Sequence, residues 1–134
     1  MILLCDEDVG TGIPKALQLV GLGSRYLRRL GLAGKPDQVW LAKAGQNGWL
    51  VFSYNKKILK VPSERETVIR EKVGIVFLTN GTEYNRTVLR LLLSKWDTLE
   101  LLWNTAERPF VRFLSPNGRL VDKYKDYQLF EPKG

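Results

Sequence analysis

The chain has no histidine, one cysteine and one methionine among its 134 residues. Without an imidazole, Ser-His-Asp and Cys-His catalysis, the usual zinc sites and histidine acid–base chemistry are excluded. A single cysteine permits no intramolecular disulfide. Cys5 lies inside an apolar run and reads as a small buried hydrophobe rather than a nucleophile. Long apolar runs are missing too: no stretch approaches the roughly 20 residues that span a bilayer. An apolar strand begins at residue 2, which leaves no room for a secretory leader, so a cytoplasmic location away from membranes is expected. On that expectation the Asn-X-Thr sequons at Asn80 and Asn85 carry little meaning. Hydrolytic chemistry in such a chain has to rest on carboxylates and a hard metal ion.

The carboxylates are present at once. Met1-Ile2-Leu3-Leu4-Cys5 is followed by Asp6-Glu7-Asp8. A short apolar run with polar flanks reads as a strand buried on both faces, as in a parallel sheet. Ligands of open α/β sheets gather beyond the carboxyl ends of the strands, where these acids fall. Three adjacent carboxylates repel one another and favour a cation; the plainer alternative is one inward acid and two solvated turn residues. The net charge of +7 is unevenly spread: residues 9–63 alone carry +8, with Asp37 their only acid. A basic field beside an acidic pocket suits a polyanion brought to a metal.

Helix and strand signals alternate along the chain. Ile13, Ala16, Leu17 and Val20 share one helical face, closed by Gly21 and Gly23. Ser24 to Leu30 predicts a second strand and loop. Pro36 predicts a helix start, with Asp37 in the first turn, where the macrodipole favours an acid, and Gly48 beyond the end. Trp49 to Phe52 predicts a third strand, leading into Ser53-Tyr54-Asn55. Ser63-Glu64-Arg65-Glu66 has the form of a capping box opening a helix to about Lys72. Ile75 to Leu78 predicts a fourth strand, and 82–104 a helical stretch with a break near Asp97. Phe110 to Leu114 and Arg119 to Tyr124 flank a Ser115-Pro116-Asn117-Gly118 turn, as in a hairpin. Repeated strand–helix units predict an α/β three-layer sandwich around a mainly parallel sheet, with right-handed crossovers. Leu89, Leu92, Trp96, Leu99 and Trp103 alternate spacings of three and four, which reads first as core packing and second as a homodimer seam.

Asp6-Glu7, Asp37-Gln38-Val39-Trp40 and Gly48-Trp49-Leu50-Val51-Phe52-Ser53 come in a telling order. Lys56-Lys57-Ile58, Pro62-Ser63-Glu64-Arg65-Glu66 and Gly74-Ile75-Val76-Phe77-Leu78 continue it. In order and spacing, residues 1–95 resemble the PIN-like nucleases, specifically the small VapC-type toxins. The resemblance implies one PIN-like domain over 1–134, with 1–95 as core and 96–134 as a helix and hairpin extension. It also implies a Mg²⁺- or Mn²⁺-dependent endoribonuclease neutralised by a cognate antitoxin protein. Asp6 and Asp37 would hold the metal, with Glu7 and Asp8 as helpers. Lys56, Lys57 and Lys60 would track RNA phosphates, as would Arg28 and Arg29, and Tyr26, Tyr54 or Trp49 would offer faces for bases.

One position departs from the family pattern. Its third acid falls at Asn55, a neutral carbonyl donor that can orient the attacking water but brings no charge. The alternative to an active ribonuclease is therefore a catalytically weakened module that binds nucleic acid or a partner. A phospho-receiver domain shares an acidic cluster after strand one and a Thr after strand four, here Thr79. It needs an Asp ending strand three, where this chain has Ser53-Tyr54-Asn55.

Overall fold

A computed structural model describes residues 1–79 and 84–122. Six strands form one sheet: β1 (Leu3–Cys5), β2 (Ser24–Tyr26), β3 (Leu50–Ser53), β4 (Gly74–Leu78), β5 (Phe110–Leu114) and β6 (Leu120–Val121). The order is β2-β1-β3-β4-β5-β6. Every pairing is parallel except β5 with β6, where Phe113 faces Val121 and Leu114 faces Leu120. The architecture is thus a mixed α/β sandwich with a mainly parallel sheet, as the alternating pattern predicts.

Strand alternation builds two cores. Leu3, Cys5, Leu50 and Phe52 point to one face, where helices α1 (Gly12–Leu19) and α4 (Asn85–Thr105) cover them. Leu4, Val51, Ile75 and Phe77 point to the other, under α2 (Asp37–Asn47) and α3 (Pro62–Arg70). Both faces being covered explains why the strands read as continuous apolar runs. Central strands β1 and β3 run side by side, with Leu3 opposite Leu50 and Cys5 opposite Phe52. Their carboxyl ends therefore deliver Asp6 and Ser53 to the same sheet edge.

Some local readings change. The second strand is only three residues; Leu27–Leu30 then winds into a 3-10 turn that Gly31 closes in the left-handed region at φ 72°. The capping box at Ser63 does not form. Pro62 starts α3 instead, and Ser63 lies inside the helix with its carbonyl accepting from Thr67 Oγ1 at 2.8 Å. Pro prefers the first helical position because it has no N–H to leave unsatisfied, so the start falls two residues earlier, with Val61 as N-cap. α4 runs unbroken past Asp97 to Thr105. Leu92, Trp96 and Leu99 of its apolar stripe are buried in the core. Asn80 and the predicted helix start at 82–83 lie outside the described residues, as does the end of the predicted last strand. The Ser115–Gly118 turn closes as predicted, with Gly118 N donating to Ser115 O at 2.9 Å. Among the described residues no helix is long and apolar enough to cross a membrane.

The close approach of α2 to the end of α3 has a direct consequence. A Cβ at Gly45 would collide with the main-chain carbonyl oxygen of Glu71. Backbone cannot swing aside as a flexible side chain can. Gly45→Ala is accordingly expected to destabilise the fold by about 1–3 kcal/mol, the usual cost of overpacking. Urea unfolding of the two proteins would measure it; an unchanged midpoint would mean the helices separate freely.

Candidate functional site

The edge of the sheet beyond β1 and β3 gathers the carboxyl groups of Asp6, Glu7, Asp8 and Asp37, with Glu64 beside Asp37. Asp6 follows directly on β1, and its amide donates to Phe52 O at 3.0 Å, which fixes it beside β3. It is only 6% exposed. Its Oδ1 accepts from Glu7 N at 2.7 Å and its Oδ2 from the buried Ser53 hydroxyl at 2.8 Å. Ser53 Oγ in turn accepts from Asn55 N at 2.9 Å. A short relay from the loop after β3 thus aims Asp6.

Burial pushes the Asp6 carboxyl up to about 6, helped by the charge of Asp8 and, more weakly, of Asp37; the Ser53 and Glu7 hydrogen bonds oppose the rise. Asp8 sits in the 3-10 turn Glu7–Val9 and accepts from Tyr54 N at 3.2 Å. Partial desolvation of its carboxyl, followed by the charge of Asp37, moves it upward as well. Asp37 opens α2, and its Oδ1 accepts from the indole Nε1 of Trp40 one turn later at 3.0 Å. Trp40 is itself buried, so this acceptor is held from below by the core.

Glu64 is the acid that sequence reasoning placed elsewhere. The start at Pro62 puts it in the first turn of α3, facing Asp37. Desolvation, then the negative charge of Asp37 and a shared hydrogen bond with it, push Glu64 up to about 7. Its only signal in the sequence is the Pro-X-Glu spacing, since Glu at that place also suits a helix cap. In all three, desolvation is the first cause of the rise, and the charge of a neighbouring carboxylate adds to it.

The other expected residues divide. Asn55 lines the same pocket as Asp6, Glu7, Asp8 and Asp37, a space of about 470 Å³ whose wall Gly34 and Lys35 complete. The Asn55 side-chain oxygen, Oδ1, accepts from Lys57 N at 3.2 Å, so it caps the 3-10 turn Lys56–Leu59. Glu7 accepts from Gly34 N and ties down the loop before α2. Lys56 reaches to Thr79 O at 2.6 Å, while Lys57 and Lys60 are less engaged and exposed. Arg28 and Arg29 line a second, larger cleft of about 720 Å³ that meets the acidic pocket at Asp6 and Glu7. Cys5 is fully buried, its thiol pushed up to about 12 by desolvation first of all, which suits core packing and not nucleophilic work.

The donor set is all oxygen, the chemistry of Mg²⁺ or Mn²⁺. Among the described residues no three acids stand close enough to make a finished cage. No curated protein and no solved structure matches the chain. Residues 1–80 match the family model described as a PIN like domain, which covers more than half of the sequence. With Asp6 directly after β1, Asp37 at the start of α2 and a mainly parallel sheet beneath them, the chain belongs to the PIN-like domain family.

Proposed function

We propose that the protein is a Mg²⁺- or Mn²⁺-dependent endoribonuclease, of the VapC-type toxin kind, held in check by a cognate antitoxin. The observation that carries the hydrolase reading is the cluster of Asp6, Asp8, Asp37 and Glu64 at the β1–β3 edge, in which the carboxyls of Asp6, Asp8 and Glu64 are pushed upward. Asp6 and Asp37 are its cation-holding residues, with Asp8 and Glu64 adding charge. A divalent ion there would polarise the phosphodiester and lower the pKa of a nucleophilic water. Ser53 orients Asp6, and Trp40 orients Asp37. Lys35 at the wall and the exposed Lys57 and Lys60 supply positive charge for flanking phosphates. Glu64 answers the charge deficit left by Asn55, because it brings a further carboxyl to a site whose third family acid is neutral.

Titration with Mn²⁺ by calorimetry tests the site itself. Asp6→Ala is expected to abolish binding. Asn55→Asp is expected to tighten it, because a carboxylate replaces a neutral oxygen donor at the pocket. Unchanged affinity in Asn55→Asp would remove residue 55 from the coordination sphere and leave it as a cap of the Lys56–Leu59 turn. A catalytically weakened binding module is favoured instead if wild type binds RNA but no divalent ion.

A further inference from the structure

The larger cleft carries chemistry that the acidic pocket does not use. Its volume of about 720 Å³ lies within the range of small-molecule and cofactor sites, roughly 300–1,000 Å³. Lys15 comes to it from α1, and Arg28 and Arg29 from the turn after β2. All three are exposed, and among the described residues none has a carboxylate within ion-pair distance. Tyr26, at the end of β2, also lines the cleft and is half-buried, with Lys15 Nζ 5.8 Å from its ring centroid. A partly buried ring is held in place by its surroundings and still has surface to offer. Asp6 and Glu7 belong to both spaces, so the cleft begins where the acidic pocket ends.

We propose that this cleft is a nucleotide subsite: Lys15, Arg28 and Arg29 hold phosphates, and an unpaired base seats against Tyr26, one step along the strand from Asp6. The identity of the polymer rests on the ribonuclease reading above; the chemistry of the subsite does not. Carboxylates at the acidic pocket repel a phosphate backbone, so the attraction has to come from beside it. Three cations from two separate elements meet there. Every base has a π-face, so an aromatic platform accepts any of them and selects for unpaired nucleotides. The sequence holds Arg28, Arg29 and Tyr26 close together, but Lys15 is eleven residues upstream of Tyr26, and only the packing of α1 beside β2 brings it in.

The test is fluorescence anisotropy of a labelled short single-stranded RNA, in EDTA so that the strand stays intact, across a series of salt concentrations. Replacing Lys15, Arg28 and Arg29 together by Gln is expected to flatten the salt dependence by about two units, at roughly −0.7 per phosphate contact. Tyr26→Leu is expected to weaken RNA about tenfold, as loss of one stacked base does. An abasic ribose-phosphate strand should bind Tyr26→Leu as it binds wild type, and Tyr26→Phe should keep wild-type affinity for RNA. An unaltered slope in the triple variant overturns the proposal, as does equal weakening of RNA and abasic strand by Tyr26→Leu. Should Tyr26→Leu fail to fold, the triple variant decides alone, since its three side chains are on the surface. Failure of the ribonuclease reading looks different: no cleavage with Mn²⁺, while the slope still depends on the three cations.

Discussion

In chelator, the protein is expected to become more stable as the pH falls from 8 to 5, the reverse of ordinary acid denaturation. The cause is Asp6. Its carboxyl stands at about 6 in the folded protein against an ordinary 3.8, with burial as the first cause and the Asp8 charge as the second. Between those two values the folded state holds a proton that the unfolded state has released. Stability therefore falls as pH rises through that window and levels off above it. At 1.36 kcal/mol per pKa unit, Asp6 contributes about 1 kcal/mol between pH 8 and pH 5 and about 2 kcal/mol by pH 4. Glu64, raised to about 7, pushes in the same direction and starts the rise at higher pH. Urea unfolding at a series of pH values measures the slope, and Asp6→Asn isolates its origin. The variant should lose the Asp6 share of the pH dependence, keep the share that comes from Glu64, and be more stable than wild type at pH 8. With millimolar Mn²⁺ the dependence should invert, because a cation bound only to the folded state favours ionised carboxylates. A wild-type protein that loses stability steadily from pH 8 to pH 5 in chelator would mean that Asp6 is already compensated.

Ser53→Ala should lower the Mn²⁺-dependent cleavage rate by about 10–100-fold, the usual loss when an outer partner of a metal-holding side chain is removed. The hydroxyl is fully buried, donates to Asp6 Oδ2 and accepts from Asn55 N. Its removal frees the Asp6 carboxylate to rotate and leaves the Asn55 amide without its acceptor. The fold should persist, since alanine fits where serine did. Ser53→Thr preserves the hydroxyl and should recover part of the rate if the extra methyl is accommodated. An Ala variant with wild-type activity and metal affinity would show that Asp6 is held by its backbone position alone.

What was legible in the sequence follows from where the forces are local. Apolar runs mark β1, β3 and β4 because strands buried on both faces carry no polar alternation. Asp6 could be placed because it follows such a run directly, and Asp37 because Pro36 announces a helix. The order of the sheet was not legible: nothing local says that β1 lies between β2 and β3, since parallel pairing is decided by contacts far apart in the chain. Glu64 was hidden by a competing local rule, as Ser63-Glu64-Arg65-Glu66 has the form of a capping box. Pro62 decides the helix start and turns Glu64 toward Asp37. Ser53 looked like a strand end; its importance comes from a hydrogen bond spanning 47 positions. Lys56 reads in the sequence as free for phosphate, yet its amine donates to Thr79 O, the residue after β4.

The central claim is that the acids at the β1–β3 edge form a metal-dependent ribonuclease site. It is tested most directly by incubating a mixed RNA pool with wild type and with Asp6→Asn, each in Mn²⁺ and in chelator. The account predicts defined cleavage products only for wild type with Mn²⁺, and a loss in Asp6→Asn of at least about 100-fold, beyond that of an outer partner. Equal cleavage by both proteins, or cleavage that persists in chelator, would contradict it.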